Sequence, residues 1–132
     1  MKFIKYEVIF EPFSERHFIR TFAKKYKGAW DFTFSTITKE FEKIDALFLK
    51  SIAEYITDKD ADVVICKTEF KISGTRESRH GSGKRCIVAI HKDTVKVRVL
   101  LVYSKTDLGG SNETSEWKKI IKNNYPEYKN LI

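Results

Sequence analysis

VVICKTEFKISGTRESRHGSGKRCIVAIHKDTVKVRVLLVY, residues 63–103, is the stretch on which the fold turns. Three runs rich in β-branched residues, Val63 to Ile72, Arg85 to His91 and Val95 to Tyr103, are divided by a long Gly/Ser-rich basic connection, Ser73 to Lys84, and by a tight turn at Lys92-Asp93-Thr94. This spacing predicts an antiparallel meander with one extended loop. Period-two alternation then sorts the side chains by face. In the first strand Cys66, Phe70 and Ile72 oppose Lys67, Glu69 and Lys71; in the second Cys86, Val88 and Ile90 oppose Arg85, Ile87 and Ala89. In the third Val95, Val97, Val99, Leu101 and Tyr103 oppose Lys96 and Arg98. With the apolar sets packed on helices, Lys67, Lys71, Arg85, Lys96 and Arg98 are expected to gather on an exposed face, beside the loop cations Arg76, Arg79 and Lys84.

Upstream, Tyr6 to Phe10 reads as a short strand stopped by Pro12. Ser14 opens an apolar series at Phe18, Ile19, Phe22, Ala23 and Tyr26, a helical face that ends in lysines before Gly28. From Trp30 or Asp31 a three-or-four step through Phe34, Ile37, Phe41, Ile44, Phe48, Ile52 and Tyr55 continues. It is compatible with one bent helix or with two consecutive helices, Asp45 being a candidate restart. Residues 14–57 are thus expected to be mostly helical, and the acidic run Asp58 to Asp62 breaks them from the strands. Downstream, Gly109-Gly110 precedes a short helix around Glu113 to Asn123, with Trp117, Ile120 and Ile121 on one face and Pro126 as its stop.

A chain of 132 residues with 42% hydrophobic and 14% aromatic content suits one domain over residues 1–132 with a real core, and excludes general disorder. No apolar run is long enough to span a bilayer, and charges at Lys5 and Glu7 interrupt the start where a signal peptide is apolar, so a soluble cytoplasmic protein without a membrane partner is expected. Cys66 and Cys86 fit neither a metal spacing nor a disulfide framework and are expected as small core residues.

The net charge of +7 is concentrated. Residues 1–66 carry 11 basic and 11 acidic side chains and residues 106–132 carry 4 and 4, whereas residues 67–105 carry 10 and 3. One basic element on a neutral body points to a polyphosphate partner, nucleic acid first. Metal-free RNA cleavage needs the 2′-hydroxyl deprotonated or steered at phosphorus, the phosphorane charge stabilised and the 5′-oxygen protonated. Arginine suits the phosphate and clustered lysines suit proton transfer. His80 is the imidazole set in the basic loop, while His17 and His91 are expected to be structural or solvent-facing. No metal constellation or strand-to-helix phosphate loop is legible, and neither a metal nor a cofactor is expected.

The order strand, helices, basic meander, terminal helix, together with Phe70-Lys71-Ile72, Gly83-Lys84-Arg85-Cys86-Ile87-Val88, Val99 to Asp107 and Ala29-Trp30-Asp31, resembles the RelE/ParE superfamily of bacterial toxins, and within it the RelE and HigB-like ribosome-dependent mRNA interferases. The resemblance implies an α+β fold in which an N-terminal strand and helices pack on a small antiparallel sheet with a short C-terminal helix. It also implies a metal-free endoribonuclease acting on mRNA on the ribosome, within reach of rRNA, and neutralised by a small helix-turn-helix antitoxin. Carried over by position, Lys71 and Lys67 match the lysines of the first long strand, where a general base and phosphate contacts lie. Arg85 matches the arginine on the scissile phosphate, and Lys105 stands where RelE has an arginine. The candidate catalytic set is Lys71, Arg85, Lys105 and His80, with Lys67, Arg76, Arg79, Lys84 and Arg98 on the RNA backbone. RelE's C-terminal tyrosine has no clear counterpart. Tyr103 is a substitute only if it leaves the core side its parity assigns it, and the Ser73 to Lys84 loop has no place in the compact RelE pattern. Two other readings remain: a ParE-like gyrase poison and a non-catalytic RNA-binding module.

Overall fold

The computed structural model describes residues 4–132. The chain opens with β1 (Glu7–Phe10), and Pro12 then starts α1 (Pro12–Ser14), where its missing N–H has no intrahelical partner to lose. The helix widens into a π-helical turn (Glu15–Ile19) and ends as α2 (Arg20–Lys25). The next helical region is two consecutive helices, α3 (Trp30–Glu42) and α4 (Ile44–Leu49), because Lys43 leaves helical geometry at φ −123°.

The expectation of helix to residue 57 fails beyond Leu49. Ser51 takes a left-handed φ of 58° and turns the chain into β2 (Ala53–Tyr55), so Ile52 and Tyr55, in step with the helical series, belong to another element. Then follow β3 (Val63–Phe70), β4 (Lys84–His91), β5 (Lys96–Ser104), two 3-10 turns, α5 (Glu113–Asn124) and a 3-10 segment (Pro126–Leu131). Among the described residues no helix is long and apolar enough to cross a membrane.

The molecule is α+β, and its sheet is larger than expected and mixed. Its order is β1-β5-β4-β3-β2, antiparallel throughout except that β1 lies parallel to β5, with Glu7 opposite Lys96. The meander itself is as expected: β3 pairs β4 and β4 pairs β5, both antiparallel. The tight turn between them extends to Val95, a β-branched residue held at φ 56°, a conformation that costs about 1–2 kcal/mol and persists because both flanking strands fix it.

Both faces of the sheet are covered. On one side Cys66, Phe70, Cys86, Val88, Val97 and Val99 pack with Phe22, Trp30, Ile37, Phe41 and Ile44 from the helices. On the other Ile65, Ile87, Ala89 and Leu101 pack with Trp117, Ile121, Tyr125 and Tyr128 from the C-terminal segment. The exposed basic face expected from alternation is therefore largely a second core. Cys66 and Cys86 are buried and free, and burial pushes both thiols up to about 12, so they act as core side chains.

Alternation also fails once within β5. Ile87 pairs Leu101 while Val88 pairs Val99, which leaves Leu100 as an extra residue in a β-bulge. From there the phase of the strand is reversed, and Leu101 and Tyr103 join the α5 side instead of the helix side assigned by strict period two. The Tyr125 hydroxyl donates to the Leu100 carbonyl at 2.8 Å, so the bulge is tied to the C-terminal segment.

At the turn end of the sheet, half-buried His91 hydrogen-bonds through Nε2 to the Tyr128 hydroxyl at 2.8 Å. Burial, with the nearby Arg98 charge second, lowers its pKa. The unfolded chain thus binds the His91 proton more readily, and stability falls as pH drops below about 6.5. Urea midpoints are expected to decrease between pH 7 and 5.5, and His91→Gln is expected to flatten that slope; an unchanged slope refutes the assignment.

Candidate active site

The ends of β3, β4 and β5 opposite that turn frame a cleft of about 180 Å³ with β2 along one side. It brings together Lys67, His80, Arg85 and Lys105 from the sequence-derived set. It also contains three carboxylates that the sequence reading did not assign to the site, Glu54, Glu69 and Glu113.

Glu69 lies on the same face of β3 as Lys67, two residues on. Its Oε2 is 2.6 Å from His80 Nδ1 and 3.2 Å from Arg85 Nη2. An ionised carboxylate only accepts, so Nδ1 carries the proton in this contact, and Nε2 is the ring nitrogen left for another partner. The His80 side chain is 87% exposed, which puts that nitrogen at the cleft mouth. Arg85 is the reverse, with a side chain only 5% exposed. Nη1 donates to the Lys84 carbonyl at 3.0 Å and, at 3.5 Å, to that of Arg79, while Nη2 donates to the His80 carbonyl at 3.0 Å and forms the ion pair with Glu69. Its terminal N–H groups are thus turned toward the protein's own acceptors, and Arg85 fastens the His80 loop to the sheet.

Glu113 enters from the first turn of α5 and is 5% exposed. It accepts a 2.6 Å hydrogen bond from the Tyr103 hydroxyl and lies 3.6 Å from Lys67 Nζ and 4.0 Å from Lys105 Nζ. Glu54 lies 3.8 Å from the same Lys67. Burial, with the Glu113 hydrogen bond and charge next, drives the Tyr103 phenol well above its ordinary range. Tyr103 is 1% exposed, so it orients Glu113 from beneath instead of meeting solvent. The bulge at Leu100 is what turns it to this side.

The other expected site residues lie elsewhere. Lys71 follows the last residue of β3 and borders a separate recess with Phe32 and Gly74 on the α3 side. Arg79 forms a two-pronged ion pair with Glu40 of α3, one contact at 3.0 Å, which raises its pKa further. Lys84 is the first residue of β4 and its parity carries it to the helix side, where it is buried with Nζ 5.8 Å from the Tyr26 ring centre and 3.3 Å from the Ser82 carbonyl. Arg98 sits at the turn end of the sheet, paired with Glu11 at 3.0 Å. Arg76 is exposed on the loop. The single basic surface is therefore divided over both faces and both ends of the sheet. In the cleft itself Lys67, Arg85 and Lys105 face Glu54, Glu69 and Glu113, three charges against three.

The loop 73–84 is held at several points. The Ser73 amide donates to Thr33 Oγ1 at 2.8 Å, the Ser82 hydroxyl bonds the Phe70 and Arg79 carbonyls, and the Lys105 amide donates to the Gly83 carbonyl at 2.7 Å. Gly83 makes this closure at φ 69°, a conformation suited to glycine. Among the described residues no group of three or more His, Cys, Asp or Glu side chains is arranged to hold a metal ion. Searches against family models, curated proteins and solved structures returned no match to this chain.

Proposed function

We propose that the protein is an endoribonuclease that cleaves mRNA through the RNA's own 2′-hydroxyl. The observation that carries this reading is the convergence of Lys67, His80 and Lys105 with Glu69 and Glu113 on one cleft. His80 Nε2, its ring oriented by Glu69, accepts the 2′-hydroxyl proton as that oxygen attacks phosphorus. Lys67 meets the charge that builds on the phosphorane oxygens, and the Lys105 ammonium gives a proton to O5′ as the P–O5′ bond breaks. The products are a 2′,3′-cyclic phosphate and a 5′-hydroxyl. Arg85 is a positioning residue here, because its guanidinium is engaged by Glu69 and three carbonyls. Lys71, outside the cleft, has no part in the step.

The motif resemblance supports a RelE/HigB-like toxin that acts on the ribosome and is neutralised by a small helix-turn-helix antitoxin. The three-to-three charge balance favours a second reading, in which the cleft edge docks a protein, as in a ParE-like gyrase poison, without cutting RNA. Mapping mRNA ends in a translating extract separates the two. New ends at ribosomal A-site positions are expected with the wild-type chain, reduced about 10²-fold or more by Lys105→Ala. Intact mRNA overturns the nuclease reading, and inhibited gyrase supercoiling then supports the second.

A further inference from the structure

Beyond Lys105 the chain borders a second, open recess, of about 420 Å³, within the size range of small-molecule sites. Ser104, Asp107 and Leu108 form one wall, and His17, Phe18 and Thr21, from the π-helical turn and α2, form the other. The two sites adjoin along the chain: Lys105 lines the cleft, Ser104 lines the recess, and Tyr103 lines the recess while bonding the cleft's Glu113. A polynucleotide with a phosphate beside Lys105 therefore has a neighbouring nucleotide within reach of the recess.

The lining has the two features that a base requires. Phe18 and Leu108, both half-buried, offer apolar surface to a ring face, and Phe13 backs the wall by packing on His17 with centroids 4.5 Å apart. Thr21, Ser104 and Asp107 supply polar groups for a ring edge. No ion pair among the described residues engages Asp107, so its carboxylate remains available as an acceptor. A smaller neighbouring pocket that shares Thr21, Ser104 and Asp107 is also lined by Lys25. The π-helical turn at this wall is of a kind that often borders functional sites.

We infer that this recess is a nucleobase subsite and that it selects guanine. The inference rests on the RNA-cleavage reading for the phosphate next door. A carboxylate takes two parallel N–H donors, and guanine presents N1–H and N2–H side by side. On the corresponding edges adenine and cytosine place an acceptor beside the amino group, and uracil flanks its one N–H with carbonyls, which a carboxylate repels.

Amide NMR of the intact chain titrated with GMP, AMP, CMP and UMP tests this without any cleavage. Shifts at Thr21, Ser104 and Asp107 are expected, with GMP bound about tenfold more tightly than the other three. Asp107→Asn, which exchanges one acceptor oxygen for a donor, is expected to erase the tenfold preference, and Thr21→Ala to weaken all four nucleotides while keeping it. Equal affinities, shifts confined to other residues, or a preference that survives Asp107→Asn overturn the subsite. A chain that binds GMP in this way yet leaves mRNA intact on translating ribosomes upholds the subsite and overturns the cleavage reading instead.

Discussion

Arg85→Ala is expected to destabilise the protein by about 3 kcal/mol and to release the loop 73–84, because it removes one partner of a buried ion pair and the donors to three carbonyls. Glu69 would keep only His80, whose side chain is largely in solvent. The lower urea midpoint should therefore come with faster amide exchange at residues 73–84, while the strand centres of β4 and β5 keep their protection relative to the new global stability. Arg85→Lys should recover little, since a point charge cannot span the Glu69 carboxylate and two loop carbonyls as the planar fork does. Lys105→Ala is the contrast: its side chain is 48% exposed, and its stability should stay within about 0.5 kcal/mol of wild type. If Arg85→Ala keeps both stability and loop protection, the fastening role is wrong, and loss of RNA cleavage in that variant would then mark direct phosphate contact.

The second large effect belongs to Trp117. This side chain is fully buried between α5 and the sheet, and it holds the helix whose first turn delivers Glu113. Trp117→Ala is expected to cost about 3–5 kcal/mol, a large share of the roughly 5–15 kcal/mol available to a domain. Exchange should accelerate first at residues 113–124, and cleft activity should fall with it. The indole N–H has no partner, so Trp117→Phe loses volume without orphaning an acceptor and should cost clearly less than Trp117→Ala. Alanine and phenylalanine variants of equal stability would show that α5 is not secured through this residue.

The parts of the fold that were legible are those where one periodicity holds from end to end. Alternation sorted Cys66 from Lys67 and Cys86 from Arg85 correctly, and the three-or-four step located α3 and α4. It could not show where Leu49 ends the helix, since Ile52 and Tyr55 keep the same step and the break is a backbone event at Ser51. The Leu100 bulge is hidden for a related reason: Leu100-Leu101-Val102 is uniformly apolar, so no polar residue marks the change of phase. Parallel pairing of β1 with β5 depends on tertiary placement and leaves no local trace.

In the site, following the excess of cations led to Lys67, His80, Arg85 and Lys105 but passed over their counter-ions. Glu69 carried a signal in its two-residue spacing from Lys67. Glu113 carried none, because its role depends on α5 folding back across a face that looked open. Alternation puts Arg98 on one face with Lys67 and Arg85 but does not show that it stands at the far end of the sheet, paired with Glu11, and Lys84, expected in the loop, is the first residue of β4 and is buried on the helix side.

The parallel edge strand also governs the order of assembly. Glu7 finds its partner at Lys96, 89 positions later, so the first strand of the sheet waits for the last. Until residues 96–104 emerge, its N–H and C=O groups have no sheet to join, whereas β3, β4 and β5 can pair through connections much closer in sequence. Docking of β1 is therefore a late event, and an interrupted chain that ends before β5 leaves Val8, Ile9 and Phe10 as an unpaired strand open to association with other chains.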